Sequence, residues 1–113
     1  MGDEMSAPTA SEKRIHDLLC RVVGCAPCRF THGQFNDHVG IHHIDGRTKP
    51  HSQRHVLPLC GPHHQTGEGQ GDFIAVHPWK RRFVDAYGTE ESMLRKCLDL
   101  LIAEGHDIPE EWA

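Results

Sequence analysis

The sequence predicts a small α+β fold, a β-hairpin stapled by metal ligands with helices before and after it. Three observations carry this reading. Cys25 and Cys28 form a CxxC and Cys60 and His63 a CxxH, two close-spaced pairs of metal-ligating side chains. Between the pairs, Val39 to His43 and His55 to Cys60 are short β-leaning runs joined by the polar loop Asp45 to His51. On either side, apolar residues recur at helical spacing.

Taken in order, residues 1–10 read as a flexible tail rich in small and acidic residues. Ser11 is placed to cap a helix running to Val23, with Ile15, Leu18, Leu19 and Val22 on one face and Gly24 as its stop. The CxxC follows, then the hairpin. Gly67, Gly69 and Gly71 read as a plain linker. His77-Pro78 opens a further helix with Pro at its first position, on which Trp79, Phe83 and Tyr87 step by four. Thr89 caps a last helix whose stripe is Met93, Leu94, Cys97, Leu98 and Leu101, and Gly105 ends it. The folded domain therefore spans residues 11–105, and 106–113 form an acidic tail.

Length and composition narrow the class. At 113 residues and 37% hydrophobic, with 11 His, 11 Gly and 7 Pro, one small domain is expected, and apolar burial alone would stabilise it weakly. A structural metal fits that deficit. Five cysteines without a secretory leader suit thiolate ligands and core thiols better than disulfides, which points to a reducing cytoplasm. No stretch is long enough for a bilayer span, so no membrane partner is expected. The net charge of −4 hides an asymmetry: residues 12–84 carry ten Lys/Arg against six Asp/Glu, and the ends carry the remaining acid. A nucleic-acid partner is not excluded.

Two short-spaced pairs allow one zinc ion to join two distant loops, with Cys25, Cys28, Cys60 and His63 as structural ligands. Cys20 and Cys97 fall on apolar helical faces and read as packed thiols. His64 is then left pointing elsewhere. His42 and His43 are neighbours on a strand, so their side chains diverge and take different work. One can ligate a cation while the other acts as general base, the pairing that phosphodiester hydrolysis requires. His16, His32, His38, His51 and His106 have no partner at ligand spacing and read as surface residues.

With these residues in view, the pattern resembles the zinc-containing branch of the HNH endonucleases. CxxC, Ile41-His42-His43-Ile44 and Val56-Leu57-Pro58-Leu59-Cys60-Gly61-Pro62-His63-His64 carry the likeness. The runs His42 to Pro50 and Ala75 to Phe83 are similar to phage recombination-enhancement nucleases of the RecA-dependent Ref type. The resemblance implies a zinc-stabilised ββα-metal (HNH/His-Me finger) core with flanking N- and C-terminal helices. It implies His43 as the base and His42 and His64 as ligands of a catalytic divalent cation, magnesium or manganese with zinc as an alternative. Where the family usually has Asn, this chain has His55, which either orders the loop, binds metal or simply lies in the hairpin. His77 resembles a family histidine and is either a further ligand or a helix cap. Asp45 is placed to orient a histidine through a hydrogen bond.

Arg47, Lys49, Arg54, Lys80, Arg81 and Arg82 are candidates for DNA phosphate contact, which confers affinity without sequence preference. The expectation is a metal-dependent HNH endonuclease that cuts DNA in a bacterial host cell, linked to recombination and directed by a RecA filament. Two alternatives stand beside it: a zinc-binding nucleic-acid-binding module without catalysis, and a degenerate HNH protein. Two metals per chain would favour the nuclease and one the binding module.

Overall fold

The computed structural model describes residues 7–112, so most of the expected tail at 1–10 lies outside the described residues. The first helix, α1 (Ala10–Leu18), continues as a π-helical turn over Leu19–Val23. Ile15, Leu19 and Val23 recur every four residues along it and are fully buried. Its cap is Thr9 rather than Ser11. Glu12 lies three residues after Thr9, and the two close a capping box: the Thr9 hydroxyl accepts the Glu12 N–H at 3.1 Å and the Glu12 carboxylate accepts the Thr9 N–H at 2.9 Å.

Gly24 ends the run with φ +75°, and a Cβ there would stand 2.5 Å from the Asn36 carbonyl oxygen. Only glycine suits that position. The short α2 (Ala26–Phe30) then starts with Pro27 in its first turn.

Strands β1 (Val39–His43) and β2 (Val56–Cys60) pair antiparallel, with Val39 opposite Cys60 and His42 opposite Leu57. Every β2 residue is buried, whereas β1 buries only His42. The second strand starts one residue later than expected, because a 3₁₀ turn over Ser52–Arg54 takes His55 as its end. A π-helical turn (Pro62–Thr66) follows β2 after Gly61. The glycine segment beyond it is no plain linker. Glu68 N–H donates to Phe73 O at 3.0 Å and Ala75 N–H to Glu68 O at 3.2 Å, so the loop folds back on itself.

Helix α3 (Val76–Tyr87) is broken near its start: His77, Pro78 and Trp79 have non-helical angles, and regular helix begins at Lys80. Pro78 (φ −101°, ψ 16°) and Trp79 (φ −99°, ψ 42°) themselves lie outside the helical region, so Pro78 is not the first residue of a regular helix. Of the expected face, Phe83 and Tyr87 are buried but Trp79 is 37% exposed.

Helix α4 (Glu90–Ala103) is capped by the Thr89 hydroxyl, which accepts the Ser92 N–H at 3.1 Å. Its stripe Met93, Leu94, Cys97, Leu98 and Leu101 is buried, packed on the end of the first helical run and on β2. Each such side chain contributes about 1.5–3 kcal/mol on burial. Beyond Gly105, Trp112 joins this core, edge-on to His16, and Arg14 donates to Asp107 O at 2.6 Å. His16 is therefore a buried residue and not a surface one: its Nε2 bonds Gln53 O at 2.7 Å. Among the described residues no helix is long and apolar enough to cross a membrane.

Candidate metal centres

Cys25, Cys28, Cys60 and His63 meet in one buried cluster, brought together from the start of α2, the end of β2 and the π turn. His63 Nδ1 lies 3.4 Å from Cys25 Sγ, 3.6 Å from Cys28 Sγ and 3.2 Å from Cys60 Sγ, and the Cys28 and Cys60 sulfurs are 4.0 Å apart. Bonds of zinc to sulfur and nitrogen imply tetrahedral edges of about 3.5–3.8 Å, so this cluster can hold a structural metal such as zinc. The far side of the imidazole is also committed. His63 Nε2 lies 3.2 Å from Asp72 O and 3.2 Å from Tyr87 Oη, while Tyr87 donates to Asp72 O at 2.7 Å. A proton held on Nε2 leaves the Nδ1 lone pair facing the sulfurs.

Electrostatics favour a cation here. The hydrogen bond from Cys25 pushes the Cys60 thiol down to about 4, and the same bond pushes Cys25 up. Burial pushes Cys28 up as well. Three buried thiols this close together do not all ionise unless a cation offsets their charge, and a bound metal ion supplies that charge. Cys97 is different: buried in the apolar core, its thiol is pushed up to about 12. Cys20 is half-buried on the first helical run.

A second cluster stands beside the first. His42, His64 and His77 each offer a ring nitrogen, all within 4.8 Å of one another, and their ring centroids are 5.1–5.4 Å apart. His42 comes from β1, His64 from the π turn and His77 from the broken start of α3. The non-helical backbone at His77 turns its ring toward the other two instead of into a helical row. Burial, then the charges of His42 and His77, holds His64 below the ordinary imidazole value. Imidazoles that stay neutral are ready cation ligands.

Two residues that the sequence did not single out hold the histidines in place. Glu90 is 2% exposed, and its Oε1 accepts from His42 Nε2 at 2.6 Å while Oε2 pairs with Lys80 Nζ at 3.3 Å. Burial raises the Glu90 carboxyl, and the His42 bond and Lys80 charge more than reverse that, leaving it lowered. With a proton on Nε2, His42 keeps Nδ1 for a cation. Gln53 likewise fixes the tautomer of His43, which diverges from His42 along β1: His43 Nε2 donates to Gln53 Oε1 at 3.0 Å. Burial, only partly offset by that bond, holds His43 below the ordinary imidazole value. Glu90 sits in the first turn of α4, where an acid already has a reason to be, and that masked it. Gln53 lay in a loop with no periodicity.

The remaining candidates fall outside both clusters. His55 Nδ1 pairs with Asp45 Oδ2 at 2.9 Å, and its Nε2 lies 3.5 Å from Glu91 Oε2, so Asp45 orients His55 and not a clustered histidine. Arg54 is engaged by Glu12 at 3.0 Å and by His51. Lys80 is held by Glu90, and Arg82 by Gly69 O at 3.2 Å and the Trp79 ring. Arg47, Lys49 and Arg81 are exposed.

The sequence from residue 8 to residue 102, which includes both clusters and nearly all of α4, matches the family described as recombination enhancement, RecA-dependent nuclease. By that match, the chain belongs to the RecA-dependent, recombination-enhancement nuclease family.

Proposed function

We propose that this protein is a metal-dependent HNH endonuclease that hydrolyses phosphodiester bonds in DNA presented by a RecA filament. The hairpin β1–β2 and the turn carrying His64 would be its ββα-metal core. The observation that carries this reading is the convergence of three histidines, one braced by a buried carboxylate, beside a fourth that diverges from them on the same strand.

His42, His64 and His77 would hold a divalent cation, magnesium or manganese in the working enzyme, with zinc also compatible with imidazole ligands. Such an ion stabilises charge developing on the phosphate and on the leaving oxygen. His43 supplies the base: with Gln53 fixing a proton on Nε2, Nδ1 receives the proton of the attacking water. The water oxygen then bonds to phosphorus as the leaving oxygen departs. Glu90 keeps the His42 ring in its ligating orientation. Arg47, Lys49 and Arg81 extend toward solvent and suit phosphate contact. His55, paired with two carboxylates, orders the hairpin loop in place of the more usual Asn.

The test is cleavage of supercoiled plasmid with magnesium or manganese, alone and with RecA filaments formed on a homologous oligonucleotide. His43→Ala is expected to lower cleavage by about 10²- to 10⁴-fold with the structural zinc retained. Undiminished cleavage by that variant removes His43 as the base.

A further inference from the structure

A cleft of about 430 Å³ that the hydrolytic reading does not use is lined by Gly67, Glu68, Gly69 and Gln70 of the glycine segment and by Trp79 and Arg82, near the start of α3 from which His77 also comes. Its volume is that of a small-molecule site. We propose that this cleft seats one unpaired DNA base, on the strand whose phosphate is cut, against the Trp79–Arg82 stack.

The walls are built rather than incidental. The Arg82 guanidinium lies 5.3 Å from the Trp79 ring centroid and is fixed by its bond to Gly69 O. Gly69 lies so close that a Cβ there would stand 2.8 Å from Trp79 Cδ2 and 2.9 Å from an Arg82 nitrogen. A Cβ on Gly67 would meet Pro62 O at 2.1 Å and Phe73 O at 2.2 Å. At Gly67 the clash is with backbone, so bare backbone is required there, whereas at Gly69 it is with the Trp79 and Arg82 side chains; the Glu68–Ile74 bridge holds the segment in place. The large aromatic surface stays 37% exposed.

Chemistry selects the occupant. An exposed indole with a stacked guanidinium is the platform on which unpaired bases bind, because every base has a π-face. Glu68 and Gln70 also line the cleft. A carboxylate there disfavours a phosphate inside the cleft and suits the exocyclic amine of a base, while the amide offers both donor and acceptor. Trp79 follows His77 by two residues, so their Cα atoms are at most about 7 Å apart, and with both side chains added the span is on the order of a few nucleotides of stacked strand. A single strand can therefore reach both the cleft and the histidine cluster, and unpaired bases are available on single strands where a duplex does not offer them.

This inference rests on the nuclease reading, so the test separates the two. In the full chain carrying His43→Ala, with magnesium, binding of a labelled 12-nucleotide single strand is compared with the same strand bearing one abasic position and with the matching duplex. Trp79→Ala is expected to weaken single-strand binding about 10- to 100-fold and leave duplex binding within about twofold, with Trp79→Phe retaining most of the affinity. Single-strand binding should quench Trp79 fluorescence, and Gly69→Val should reproduce the selective loss from the opposite wall. Zinc content and unfolding temperature report that each variant is folded.

Equal losses on single strand and duplex, or no loss, overturn the base site. So does a Trp79→Ala protein that binds strands normally but loses stimulation by RecA filaments, since that assigns the cleft to a protein contact. If the unmodified chain cuts plasmid and only the single-strand arm fails, the base site falls alone. If it neither cuts nor binds DNA, the nuclease reading falls with it.

Discussion

Glu90 places a buried carboxylate 2.6 Å from His42 and 3.3 Å from Lys80, and so braces one of the three clustered histidines. Partners of this kind fix the ring and tautomer of a ligating histidine, and their loss costs about 10- to 100-fold in metal affinity. Glu90→Ala is expected to weaken manganese binding by that factor, read by calorimetry on the zinc-loaded protein, while zinc content is unchanged. Unaltered manganese affinity would separate Glu90 from the cluster. At this scale the sequence was legible where spacing constrains chemistry. CxxH assigned His63 to the cysteines and freed His64 for the second cluster. It was illegible where a residue has an ordinary local reason to be present, as with Glu90 in a first helical turn, or where tertiary pairing alone decides. His16 illustrates the latter, since nothing near it in the chain announces Gln53 or Trp112 as neighbours.

Elements position these side chains through their ends more than through their middles. Helix interiors and strands were readable from periodicity, and the α4 stripe is buried as its spacing implies. Boundaries were harder, because several polar residues compete to cap or break. Thr9 outcompetes Ser11 because only Thr9 has Glu12 at capping-box distance. Pro78 breaks α3 and does not start it, and that break is what frees His77 to join the cluster. One tight joint is Gly24, between the first helical run and the cysteine knuckle. Gly24→Ala forces a Cβ against Asn36 O at positive φ, with an expected loss of about 1 kcal/mol or more in denaturant unfolding. Weaker zinc retention should accompany it, since Cys25 follows directly and its N–H bonds the same Asn36 carbonyl.

For the whole molecule, the Cys₃His cluster ties together segments far apart in sequence around a modest core. The His63 ring also reaches Asp72 O and Tyr87 Oη, so the same cluster anchors the glycine segment and the end of α3. Strong chelation is expected to lower the unfolding temperature by many degrees and abolish cleavage, with zinc and not magnesium restoring the fold, and magnesium or manganese then restoring cleavage to the zinc-loaded protein. Restoration by magnesium alone would mean that the cysteines are dispensable for the fold. The α+β class and the hairpin were visible in the sequence because their signals are local. The glycine segment as a cleft wall was not, since its contacts come from Pro62, Phe73, Trp79 and Arg82, all outside the segment that prompted the linker reading or at its edge.

The adjacency of His63 and His64 sets a limit on how this chain can change length. One peptide bond separates a ligand of the first cluster from a ligand of the second, so the two centres share a reading frame. The Asp45 to His51 loop can lengthen with little effect, because its ends are fixed by the paired strands. A residue inserted between His63 and His64 would instead slip one centre against the other, and one inserted or removed between Cys60 and His63 would pull the first centre apart while carrying His64 with it.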